Sequence, residues 1–163
     1  MILEIATGVP GDPQCRAIAF RSLHTICNDP VKAREGLSIR GDVITEFSEA
    51  LRTLEKLYGM RPALQPAHAV RAWPLSRIET ILTHMLERVY AVFAHEHALF
   101  RSRPKDVAEL ERVTQQRDRL DSLCHIMGCI VHLEDACDRL KQRKNVSTLP
   151  LHQPRYIEIR RAA

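Results

Sequence analysis

Aromatic residues are only 5% of this 163-residue chain, and glycines number six. With so few rings the core must be filled by Leu, Ile, Val, Ala and Met, which suits helix packed on helix better than a β-sandwich. The glycines are scattered and form neither a GxGxxG nor a Walker pattern, so no phosphate-cradling loop is read. A GxSxG nucleophile signature is missing as well. No apolar run reaches the roughly 18 residues that a membrane-spanning helix needs. Met1-Ile2-Leu3-Glu4-Ile5 has neither the basic start nor the long apolar stretch of a signal peptide. Five cysteines, an odd number without paired spacing, argue against a disulfide framework. Reduced thiols in a cytoplasm are the expectation.

What is present is ordinary globular material, 45% apolar and 27% charged. The length fits one domain, residues 1–163, able to bury about two-thirds of its unfolded surface. The reading along the chain is all-α: N-terminal helices over 1–60, a proline-rich loop over 60–75, a long antiparallel helical hairpin over 76–144 and a basic tail over 145–163. Asp12-Pro13 has the form of an N-cap followed by proline at the first helical position. Asp42 is placed to cap a second helix, whose apolar residues Val43, Ile44, Phe47, Leu51, Leu54, Leu57 and Tyr58 recur every three or four positions. Gly59 follows as its C′ residue. Pro62, Pro66 and Pro74 interrupt the chain beyond it.

Ser76 and Glu79 have capping-box spacing, and the stripe behind them predicts helix from about Leu75 to Phe100. The breaker Arg101-Ser102-Arg103-Pro104 is short, so the next helix must turn back antiparallel. That helix should run from Pro104 to near Lys144, on the order of 60 Å at the helical rise. Such a length exceeds a small globule, so part of it is expected outside the core. Its early half, through Val107, Leu110, Val113, Arg117, Leu120 and Cys124, reads as one polar-interrupted seam. Its later half, through Leu123, Ile126, Met127, Ile130, Leu133, Cys137 and Leu140, reads as core. Ile2-Leu3-Glu4-Ile5 and Tyr156-Ile157-Glu158-Ile159-Arg160 are β-compatible stretches that can pair as a minor two-stranded ribbon.

The densest reactive cluster is His125, Cys129 and His132, spaced four and three apart on one helix face. The apolar stripe points the other way, which leaves that face without an evident packing duty. Imidazole and thiolate suit zinc, copper or iron, and two of the three can join ligands such as His84 or His95 from the preceding helix. A transition metal is the only cofactor suggested. Glu96 lies close to the middle of an apolar stripe and calls for a cation from a neighbouring helix. No catalytic set is assembled. The C-terminal end concentrates Arg139, Arg143, Lys144, Arg155, Arg160 and Arg161, while the net charge is +4. Such an end attracts acidic partners, nucleic acid among them.

The leading expectation is a non-enzymatic helical interaction protein, a small regulator, adaptor or chaperone-like factor, working through a helical surface and self-associating as a homodimer. Two alternatives stand beside it: a nucleic-acid-binding regulator using the basic end, and a metal-binding sensor or enzyme using the His/Cys face.

Overall fold

The computed structural model of the protein describes residues 11–29, 37, 39–60, 73–100 and 103–147. They form four helices, α1 (Pro13–Asn28), α2 (Gly41–Leu57), α3 (Leu75–Leu99) and α4 (Val107–Ser147), with no strand among the described residues. The protein is an all-α helical bundle. The terminal stretches read as a β-ribbon lie outside the described residues.

Several helix ends follow directly from local chemistry. The Asp12 carboxylate accepts a hydrogen bond from the Gln14 amide at 3.0 Å, with Pro13 opening α1 where no amide hydrogen is needed. α2 closes in a Schellman motif. Met60 N–H donates to the Glu55 carbonyl and Gly59 N–H to the Lys56 carbonyl, both at 3.0 Å, and Gly59 adopts φ +69°. Two other starts differ from the sequence reading. Asp42 does not cap α2: Arg40 holds that position, and Asp42 is a first-turn carboxylate ion-paired to Arg40 at 2.8 Å. The Ser76–Glu79 box does not form either. Pro74 precedes α3 without a side-chain cap, and Glu79 is taken instead by Lys141 of α4.

The box appears at α4. Asp106 accepts from the Glu109 amide at 2.8 Å, and the Glu109 carboxylate reaches back to the Lys105 amide at 2.7 Å. α4 therefore begins at Val107, three residues later than Pro104 suggested.

The helices close a ring, α1 on α2, α2 on α3, α3 on α4 and α4 on α1. Phe20 and Leu23 of α1, Phe47, Leu51 and Leu54 of α2, Ile78, Leu82 and Val89 of α3, and Ile130 and Leu133 of α4 are almost wholly buried inside it. Each such side chain contributes about 1.5–3 kcal/mol through removal from water. The Tyr58 hydroxyl donates to the Ala136 carbonyl at 2.6 Å, tying the end of α2 to α4. Arg16 lies 4.1 Å over the Tyr58 ring, so α1 joins the same contact.

The ring does not extend along the whole hairpin. In α3 the buried residues end at Val89, and in α4 none is buried before Leu120. Beyond those points α3 and α4 continue as a pair, an arm roughly 15–20 Å long at the helical rise.

Candidate functional site

The face of α4 carrying His125, Cys129 and His132 is not spare. Cys129 is completely buried and His132 nearly so, because α1 packs on this side of α4. The expectation that packing leaves the face free is therefore corrected. A helix in the middle of a ring has two neighbours, and the stripe facing α3 accounts for only one of them.

His125 is half-buried against α1. Its Nε2 lies 3.1 Å from the Ser22 hydroxyl and 3.7 Å from Cys129 Sγ. Burial holds the imidazole below its usual value, which favours the neutral ring. Burial also pushes the Cys129 thiol up to about 11, against the opposing pull of the Ser22 hydroxyl. A thiol so protonated at neutral pH is a poor nucleophile. Ser22, His125 and Cys129 make a small polar seam between α1 and α4.

The remaining candidates lie elsewhere. His84 faces outward into a groove of about 500 Å³ between α3 and α4, lined also by Glu79, Thr80, Thr83, Glu87, Glu134 and Asp138. Thr83 donates to Glu134 at 3.0 Å across that groove. His95 is exposed on the arm. Among the described residues no three His, Cys, Asp or Glu side chains come together in a group able to hold a metal ion.

At the basic end, Arg139 is bound to Asp135 at 2.7 Å and its guanidinium lies against Gly11, whose φ of +95° would strain any residue with a side chain. Lys141 is bound to Glu79. Arg143 and Lys144 are exposed, while Arg155, Arg160 and Arg161 lie outside the described residues.

One buried polar feature was not singled out by sequence. His24 of α1 and Glu55 of α2 meet in the core with Nε2 and Oε2 2.9 Å apart, each side chain 3% exposed. The contact has ionic distance without the alignment of a good hydrogen bond, and His24 Nδ1 has no partner among the described residues. A signal existed: His24 follows Phe20 by four and Glu55 follows Leu51 by four, which puts both on apolar faces.

On the arm, Glu96 finds the expected cation. Arg119 reaches it at 3.0 Å, and Gln116 donates to the Glu96 carbonyl at 3.4 Å. The seam read from Val107 to Cys124 separates into two. Val113, Gln116 and Leu120 turn toward α3 and are partly or fully buried, whereas Val107, Leu110, Arg117 and Cys124 face solvent. Comparison with family models, with curated proteins and with solved structures finds no match for the chain. No helix among the described residues is long and apolar enough to cross a membrane.

Proposed function

We propose that the protein is a non-enzymatic helical interaction protein, a small regulator or adaptor in the cytoplasm, which self-associates through its hairpin arm. The observation that carries the reading is the exposure of large apolar side chains on the arm. Val107 is 83% exposed, Leu99 58% and Leu110 51%. Apolar side chains gathered on one projecting element, beyond the reach of the ring, are what an association surface provides. No disulfide joins the five cysteines, all of which are described, in keeping with a reducing compartment.

Within the ring the polar groups serve structure. Cys129 is held protonated and buried, and the His24–Glu55 pair is enclosed by the core, so neither is offered to a substrate. The exposed cations Arg143 and Lys144 lie beside Arg139 and Lys141, which are already bound to carboxylates, and this weakens the case for a phosphate-binding end. Sedimentation velocity over a wide concentration range tests the reading. The expected result is a mass-action shift from monomer to dimer; a monomer at every concentration removes the proposal.

A further inference from the structure

The solvent side of α4 carries a second heptad stripe, rotated by about one residue (roughly 100°) from the seam that faces α3. It begins with Val107 and Leu110 and ends with Val131, three of the six large apolar side chains exposed among the described residues. Between them lie Thr114, Arg117, Asp121 and Cys124, all exposed. Neither Arg117 nor Asp121 is held in an ion pair among the described residues.

The order of side chains along this stripe is self-complementary. An antiparallel copy with its twofold axis level with Arg119 sets Arg117 opposite Asp121 of the second copy, and Asp121 opposite that copy's Arg117. The next layers place Thr114 against Cys124 and Leu110 against Gly128, which is half-buried and brings no side chain of its own into the layer. The outermost layer places Val107 against Val131. Every residue of the stripe meets a suitable partner, and the twofold symmetry repeats each contact.

Neighbouring registers fail on chemistry. Sliding one way by a heptad sets Leu110 against Asp121 and Thr114 against Arg117, so an acid meets a leucine and no charge is paired. Sliding the other way sets Val107 and Leu110 against Asp138 and Asp135. From this charge and size complementarity we infer that the occupant of the stripe is a second copy of the chain, bound antiparallel through α4 with Arg117 and Asp121 as the central paired charges. The inference rests on the self-association proposed above and adds its surface, direction and register.

Cysteine chemistry tests it on the full chain. In Thr114→Cys, the new thiol of one copy faces Cys124 of the other, and oxidised glutathione should convert the protein to a covalent dimer. The two positions on one helix are about 15 Å apart along its axis, well beyond the roughly 7 Å Cα separation a disulfide spans, so no bridge forms within a chain. The parent chain, and Thr114→Cys combined with Cys124→Ser, should give none. Both sites are on the surface, so folding is not at stake.

Arg117→Asp should weaken dimerisation on the order of tenfold, and adding Asp121→Arg should restore it. A dimer by sedimentation that Thr114→Cys fails to link would overturn the inference and leave the self-association standing. Ready linking of the parent chain through Cys124 to Cys124 would also overturn it, since the axis would then lie elsewhere. A monomer by sedimentation takes both away.

Discussion

The ring and the arm share two helices, α3 and α4, yet only within the ring does each of them have neighbours on both sides. From Leu75 to Val89, α3 is packed by α2 and α4, and its inward residues are sealed. From Tyr90 onward it has α4 alone among the described helices, and no described side chain is fully buried. α4 passes through the same change in reverse at Leu120. A helix pair alone can hide one stripe per helix, so any second apolar stripe stays wet until something else covers it. Stability should therefore reside in the ring's interior, and association in the stripe that runs from the arm along the outer side of α4.

The largest break in that comparison should come from the buried pair. Glu55→Ala leaves His24 unmatched beside a void in the core, with an expected loss of about 3–5 kcal/mol in chemical denaturation, as for a large-to-small core change that also strands a buried polar group. Replacing both residues, His24→Leu with Glu55→Met, should recover most of that loss. A loss below about 1 kcal/mol for Glu55→Ala would mean that the pair is solvated.

Next comes the contrast between two leucines on the hairpin. Leu82→Ala in the ring should cost about 2–5 kcal/mol, whereas Leu110→Ala on the arm should stay within about 0.5 kcal/mol. The second should instead weaken dimerisation in sedimentation. Equal effects on unfolding would erase the distinction between ring and arm.

A smaller effect is expected from pH. Burial raises the thiol of Cys27 to about 12 and that of Cys137 to about 12, from an ordinary value of 9.0. Below pH 9 both folded and unfolded thiols are protonated and the contribution is complete. Between about pH 9 and 12 the unfolded chain ionises first, so stability should fall as pH rises. His125 acts at the other end. Its folded value lies below the ordinary 6.5, so the unfolded chain takes up a proton first and stability should decline as pH drops below that value. In His125→Gln the acid slope should flatten; an unchanged slope would assign it to other groups.

The smallest effect belongs to the exposed arm pair. Glu96→Gln breaks the contact with Arg119, which is half exposed, and should cost under about 1 kcal/mol.

Much of the fold was legible in residue order. Asp12-Pro13 and Gly59 mark helix ends by chemistry that involves only neighbours in the chain, and the three- and four-residue spacing of apolar positions marks the hairpin. The misreadings share a cause. Glu79 had capping-box spacing but was claimed by Lys141, 62 positions away, a competitor no local pattern reveals. The site was less legible than the fold. The spacing of His125, Cys129 and His132 describes a face of the helix, but whether that face met solvent or α1 depended on how the hairpin docked.

Residue order by itself determined that the four described helices form, where most of their ends fall and that α4 outruns the core, because these follow from periodicity and from backbone groups satisfied within a few residues. Only the tertiary structure decided that His24 meets Glu55, that Cys129 is sealed behind α1, and that Leu110, Arg117 and Asp121 are covered by none of the other described helices. Those outcomes depend on which helix faces which. A periodic pattern shows that a face exists, and packing alone assigns it a neighbour or water.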